Sequence, residues 1–338
     1  MSRLKPIFQT AFVIIPIRPN QYSSLMNAPK AFAILGPTAG GKTGLALDIA
    51  AKLPVEIISL DSALVYRDMD IGTAKPSAAE RQAVPHHLID IITPLETYSA
   101  ADFVADCVRL VADIHRRGRL PLIVGGTMMY FQALTGGLNN LPEADPAVRA
   151  ALQAEKNAHG LARLYRRLQA ADPVTAARLK PNDSQRIERA LEVFELTGKP
   201  LSRHFDEQQT TPPPLDLHTI ALIPENRALL HARIAERFGQ MLRQGFLDEM
   251  AALRRKYPAL TSGHTSMRCV GYRQAWDYIE GGYGYETFVE KGTAATRQLA
   301  KRQLTWLRKI PLAQSLDPFA AQNYLQTASE SVKRHFGI

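Results

Sequence analysis

Apolar residues fall into two kinds of pattern along this chain. Ala31–Leu35, Val55–Leu60 and Leu120–Val124 are short runs that are mostly apolar at every position. Strands of that kind are buried on both sides, as in a parallel sheet covered by helices. Between them, Thr43–Leu53 repeats apolar positions at helical spacing, with Leu45, Ala46, Ile49 and Ala50 on one face. Ser99 opens a further helix, with Asp102 three residues on in the arrangement of a capping box. Strand and helix thus alternate from Ala31 to about Gly137.

The alternation then stops. Pro142–Leu201 keeps helical periodicity and Ala-rich stretches without a strand-like run, and Thr210–Pro214 reads as a linker. Thr219–Ile223 resumes as a strand, and long helices follow to about Lys309. The predicted organisation is an α/β core in two parts, residues 31–137 and 219–315, interrupted by a mostly helical inserted domain at 138–218. Residues 316–338 read only as a C-terminal tail.

Residues 1–30 stand apart. Met1–Lys5 is basic and Ile7–Ile17 apolar, a faint likeness to a signal peptide. Pro16, Arg18 and Pro19 interrupt it and no small-residue cleavage site follows. A disordered extension is expected, or an upstream start with Met26 close to the true one. No apolar run approaches the ~18–20 residues of a membrane helix.

Composition narrows the class. Hydrophobic residues are 46% and charged residues 22% of the 338, an ordinary globular balance that excludes a disordered chain, a coiled coil or a collagen. The only cysteines, Cys107 and Cys269, exclude a disulfide scaffold and a Cys-based zinc site, and fit a reducing, cytoplasmic compartment. Charge is uneven. Ile220–Gln314 holds fifteen basic side chains against eight acidic ones, +7 of the formal +9. A basic half suits a polyanion such as nucleic acid; a solubilising surface explains it equally well.

Gly36-Pro37-Thr38-Ala39-Gly40-Gly41-Lys42-Thr43 satisfies G-x-x-x-x-G-K-[ST] in its required setting, after a strand and before a helix. Glycines turn backbone N–H groups inward to make an anion nest, and the helix N-terminus adds positive potential. Lys42 reaches phosphate oxygens, and the Thr43 hydroxyl can ligate Mg²⁺. The motif predicts binding of a di- or triphosphate and a P-loop NTPase-like parallel sheet, without implying ATP hydrolysis. Asp61 ends the second strand, at the sheet edge where open α/β folds place their chemistry. It can hold Mg²⁺, act as a general base, or merely cap a turn. Gly125-Gly126-Thr127 ends a later strand at the same edge and reads as a close-approach turn bearing a hydroxyl, or as a plain turn. His86 and His87 point apart, with no third ligand nearby, so a metal reading is not favoured.

In the basic half, Arg233 and Arg237 lie four apart on one helical face, as a phosphate fork or, more simply, a solvated face. Ser266–Gln274 mixes cations, a glycine and Tyr272, which suits a nucleic-acid backbone and a stacked base. On a helix Ala295–Lys309, Arg297, Lys301 and Arg308 fall within about 40° of one another, opposite Leu299, Trp306 and Leu307.

Several of these segments coincide with one family. The chain resembles the bacterial tRNA dimethylallyltransferases (tRNA isopentenyltransferases, the IPP transferase family). The matching stretches are Gly36–Thr43, Ile58–Tyr66 through Met69–Pro76, Tyr98–Phe103, Val124–Thr127, Asn182–Arg186 with Arg189–Val193, Arg268–Arg273 and Arg297–Gln303. They run in order from about Ala31 to Lys309. The phosphate loop is common to many families; the Asp61–Pro76 run is highly specific.

The resemblance implies transfer of a dimethylallyl group from dimethylallyl diphosphate to N6 of the adenosine 3′ of the anticodon. It implies that Gly36–Thr43, with Thr38, Lys42 and Thr43 foremost, cradle the diphosphate with Mg²⁺. It assigns Asp61 as general base or acceptor on the adenine amine, Thr127 as its neighbour and Arg237 as the diphosphate clamp. It places tRNA contacts at Asp61, Ser62, Ala63 and Leu64, at Thr127 and Arg149, and at Gln185, Arg186, Ile187, Glu188 and Arg189. Further contacts are implied at Arg268, Cys269, Val270, Gly271, Tyr272 and Arg273, and at Arg297, Lys301 and Arg302. A monomer is expected. Gly40 departs from a frequent Ser, Met128 from a frequent Gly, and no zinc finger of the eukaryotic kind is present. The residues alone leave two other readings. A small-molecule kinase or nucleotide switch explains the phosphate loop but not the basic half. A nucleic-acid-binding module explains the charge but leaves Lys42 and Thr43 idle.

Overall fold

The computed structural model describes residues 28–136, 141–207, 213–320 and 324–338. The extension expected at 1–30 therefore falls outside the described residues up to 27, as does most of the Thr210–Pro214 linker. The first part of the core runs β1 (Lys30–Leu35), α1 (Lys42–Ala50), β2 (Val55–Leu60), α2 (Ala78–Ala83), β3 (His86–His87), α3 (Ala100–Arg116), β4 (Leu120–Gly125) and α4 (Met128–Gly136). A helical stretch follows: α5 (Pro146–His159), α6 (Leu161–Ala171), α7 (Pro173–Arg178), α8 (Ser184–Thr197) and α9 (Leu201–Asp206). The core resumes with β5 (Asp216–Leu222), α10 (Arg227–Arg243), α11 (Phe246–Lys256), α12 (Tyr272–Ile279), α13 (Tyr285–Leu307), β6 (Gln314–Leu316) and α14 (Tyr324–Phe336).

The six strands form one parallel sheet in the order β3-β2-β4-β1-β5-β6. Both faces are covered, as the apolar runs predict. In β1 the side chains alternate: Ala31, Ala33 and Leu35 join one core with α3, α4, α10 and α13. Phe32 and Ile34 join a second core with α1 and α14. The segment expected as a tail is part of that second face, where Ala328 and Val332 of α14 are fully buried. Small Ala328, Ser329 and Ser331 let it approach closely, and Leu325, Val332 and Phe336 at helical spacing pack on the same core.

A third core ties the stretch after β2 to the basic helices. Val65, Tyr66 and Met69 pack with Phe238, Phe246, Met250, Tyr272, Trp276 and Phe288. Within Gly136–Pro212, α5–α9 form a compact unit of their own around Leu152, Leu164, Leu168, Ile187 and Leu191. No described helix is long and apolar enough to cross a membrane.

Candidate active site

The phosphate loop leaves the sheet where β1 runs between β4 and β5. Gly36 is pressed against β5: a Cβ there would lie 3.1 Å from the Leu222 carbonyl oxygen. Ala39 (φ 60°) and Gly41 (φ 85°) are left-handed, which curls the loop over the start of α1. The Gly40 N–H donates to the Pro37 oxygen at 3.1 Å. Gly41 precedes α1 and offers it no side-chain cap, so the first amides of the helix present partial positive charge. The Lys42 Nζ donates to the Pro37 oxygen at 2.7 Å.

Asp61 sits one residue past β2, and its Oδ1 accepts from the Ala63 N–H at 2.8 Å. This turn is fastened to the end of β4. The N–H groups of Gly126 and Thr127 both donate to the Leu60 oxygen at 3.1 Å. Thr127 Oγ1 accepts from the Ser62 N–H at 3.0 Å and donates to Ser62 Oγ at 3.3 Å. Gly125 is required for this approach, since a Cβ would fall 2.0 Å from the Leu60 oxygen.

Lys42, Asp61 and Arg237 share one electrostatic neighbourhood. Burial pushes the Lys42 ammonium down to about 8, with Asp61 opposing the shift and Arg237 adding to it. Burial lowers Arg237 too, again opposed by Asp61. Burial and then the Asp61 charge raise the Cys269 thiol to about 12, so it is a neutral group rather than a nucleophile. The two arginines read as a fork part company. Arg233 lies over the Phe319 ring, 4.7 Å from its centroid, while Arg237 answers to Asp61. The left-handed loop thus stands beside a carboxylate, two cations and a hydroxyl.

Thr43 is exposed at the second position of α1. Among the described residues no three His, Cys, Asp or Glu side chains converge as a metal site. The available hydroxyl suits a hard cation that arrives already bound to phosphate oxygens and keeps most of its waters. His86 and His87 are engaged elsewhere, with the Val84 carbonyl and Glu56.

The stretch from Asp61 to Pro76 is held by partners that local sequence does not reveal. The Glu249 carboxylate accepts from the N–H groups of Asp70, Ile71 and Gly72 at 2.8, 2.6 and 3.1 Å. Lys75, its side chain 2% exposed, donates to the Tyr66 oxygen at 2.9 Å and pairs with Asp70 and Asp90. Gly72 leaves no room for a side chain: a Cβ would meet Phe246 at 2.2 Å. Glu249 carried no functional signal of its own, and Lys75 was legible only as part of the family run.

The residues expected to contact RNA divide by exposure. Arg268, Arg273, Arg297, Lys301 and Arg302 are exposed, and Ser62 is exposed beside half-buried Ala63 and Leu64. Cys269 and Val270 are half-buried and Gly271 is buried. Tyr272 is not placed to stack on a base. It is 0% exposed, packs edge-on to Phe246 and donates its hydroxyl to Glu249. In the helical unit, Gln185 and Arg186 are exposed, with Arg186 paired to Asp183. Ile187 is corrected likewise: at 0% exposure it belongs to that unit's core. Glu188 pairs with Lys156, and Arg149 and Arg189 share buried Glu192. On α13 the buried seam is Ala300, Gln303, Leu304 and Leu307, with Leu299 and Trp306 only half-buried.

Comparison with known proteins identifies the family. The sequence profile described as IPP transferase matches residues 64–310. A tRNA dimethylallyltransferase of Neisseria meningitidis serogroup A is 66% identical over 313 residues, covering 93% of this chain and 100% of that protein. The full-length tRNA isopentenylpyrophosphate transferase of Bacillus halodurans superposes with a TM-score of 0.65 at 36% identity, over 91% and 98% of the two chains. A eukaryotic dimethylallyltransferase solved acting on tRNA gives a TM-score of 0.74 at 29% identity, over 90% and 78%. With a profile match spanning most of the chain and a relative this similar along its whole length, the chain belongs to the IPP transferase family.

Proposed function

We propose that this chain moves a dimethylallyl group from dimethylallyl diphosphate to N6 of the adenosine 3′ of the anticodon (position 37) in tRNA, releasing diphosphate. Dimethylallyl transfer to tRNA is the reaction of its family. The observation that carries the reading is the shared neighbourhood of Lys42, Arg237 and Asp61 beside an uncapped helix start.

The chemistry suits these parts. The adenine amine is a weak nucleophile because its lone pair is delocalised into the ring. The base leaves its stack to reach the site, at a cost of a few kcal/mol. Asp61 orients the amine toward the donor carbon and takes its proton as the C–N bond forms. The C–O bond breaks and negative charge grows on the departing diphosphate. Lys42, Arg237 and the amides of Gly36–Thr43 stabilise that charge where it develops. Thr43 would hold Mg²⁺ on the diphosphate, where the ion supplies further charge neutralisation. Thr127 keeps the Asp61 turn in register. The exposed cations Arg268, Arg273, Arg297, Lys301 and Arg302, with Arg149, Gln185 and Arg186 of the helical unit, would take RNA phosphates and bases. The enzyme is taken to act as a cytoplasmic monomer.

The test supplies unmodified tRNA with labelled dimethylallyl diphosphate in one reaction and γ-labelled ATP in another. Label is expected in the RNA from the prenyl donor alone. Label from ATP, or from neither donor, refutes the reading.

A further inference from the structure

The buried seam of α13 contains one polar side chain. Gln303 is 9% exposed among Ala300, Leu304 and Leu307. An amide in such a place is costly unless both of its ends are paired. Both are. Its Oε1 accepts from the Thr38 N–H at 2.8 Å, and its Nε2 donates to the Gly126 oxygen at 2.9 Å. One side chain therefore bridges the phosphate loop and the turn after β4.

The turn is shaped around it. A Cβ at Gly126 would lie 2.4 Å from Gln303 Nε2 and 2.9 Å from the Gly36 oxygen. From Gly126 the hydrogen bonds continue without a break. Gly126 and Thr127 bond the Leu60 oxygen, Thr127 Oγ1 bonds the Ser62 N–H, and the same turn holds Asp61 through Ala63. The phosphate cradle lies at one end of this chain of bonds and the carboxylate at the other. The opposite side of α13 exposes Arg297, Lys301 and Arg302.

We propose that Gln303 is a positioning residue that sets the separation between the diphosphate cradle and Asp61, and that it ties this separation to the helix whose outer face meets tRNA. The proposal rests on the prenyl-transfer reading above. Gln303 touches no reacting atom. It acts by keeping the donor carbon, held through its diphosphate, in line with the amine held by Asp61. Small misplacement at this step costs about 100-fold in rate.

Two variants test it, each measured in single turnover with saturating tRNA and dimethylallyl diphosphate. Gln303→Met keeps the volume and removes both bonds. Its single-turnover rate is expected to fall by about 100-fold, with tRNA affinity, measured separately by filter binding, within about threefold of wild type. Gln303→Glu offers the acceptor to Thr38 but can donate to Gly126 only when protonated. Its rate, divided by that of wild type at each pH, is expected to rise as pH falls from about 8 to about 6. A methionine variant at wild-type rate overturns the proposal. So does equal loss of tRNA affinity and rate, or a glutamate-to-wild-type ratio that is flat with pH. Wild-type protein that prenylates no tRNA refutes the parent reading instead, so the two failures are distinct.

Discussion

Lys42 carries the chemistry of the phosphate loop with an ammonium whose proton burial has loosened, to about 8. A cation lowered in this way is charged below its pKa and loses charge as pH rises through it. Binding of inorganic diphosphate, followed by calorimetry, is expected to weaken progressively between about pH 7 and 9. A flat profile would mean that loop amides alone hold the anion. In the proposed reaction Asp61 acts on the other substrate. Asp61→Ala is expected to lower kcat by about 10²–10⁴-fold, the usual share of a general base, with tRNA affinity retained. Parallel loss in a filter-binding assay would make Asp61 an RNA contact instead. At this scale the sequence was readable where the geometry lies in consecutive residues: the eight positions Gly36–Thr43 form the expected loop between β1 and α1. Arg237 was readable only through resemblance, because what separates it from Arg233 is what each meets in the fold, Asp61 and Phe319.

Elements supply the precision that single residues lack. α13 is 23 residues long, with cations outward and a seam inward that reaches the phosphate loop. Its outer face exposes Arg297, Lys301 and Arg302, and its proposed role toward RNA rests on charge rather than shape. Replacing Arg297 with Ala is expected to reduce the slope of log affinity against log salt by about one, with little change in kcat. An unaltered slope in salt-titrated tRNA binding would remove Arg297 from the interface. The seam shows why periodicity is an incomplete guide. Spacing placed an apolar stripe on this helix but could not show that Gln303 is the member pairing with Thr38, 265 residues away. Glu249 is the same case on α11, its amide partners lying 177–179 residues upstream. Tyr272 and Ile187 are the opposite case, motif residues expected at RNA that are buried in cores shared by several helices.

For the whole molecule, the sheet's two covered faces set how it answers to acid. α14 closes one face, and with it His335 comes to rest 5.3 Å from the His218 ring, near Phe32. Burial lowers both imidazoles below their ordinary 6.5, and it lowers His86 as well. Around them stand Asp216, which opposes the shift, and Lys30 and Arg334, which add to it. The unfolded chain then takes up protons before the native one does. Stability is full above about pH 6.5 and declines as pH falls through that value toward the native pKa values. The lowered carboxylates Glu56 and Asp172 enter only further down, below their ordinary 4.5 and 3.8. Thermal melting is expected to drop between about pH 7 and 5.5, and to drop less in His335→Gln. Equal slopes in the two proteins would clear this cluster of the effect. The alternation of strand and helix announced the sheet because each apolar run is a complete local signal. α14 carries a local signal too, Leu325, Ala328, Val332 and Phe336 at three- and four-residue spacing, but spacing alone does not show that it covers a face of the sheet.

The Pro37 carbonyl ends up with two donors, the Gly40 amide and the Lys42 ammonium. One of the three ammonium donors of Lys42 is thus spent on the loop itself, which fixes where the side chain points. The other two remain to meet an anion, so the lysine is aimed before any ligand arrives and loses little side-chain freedom on binding one.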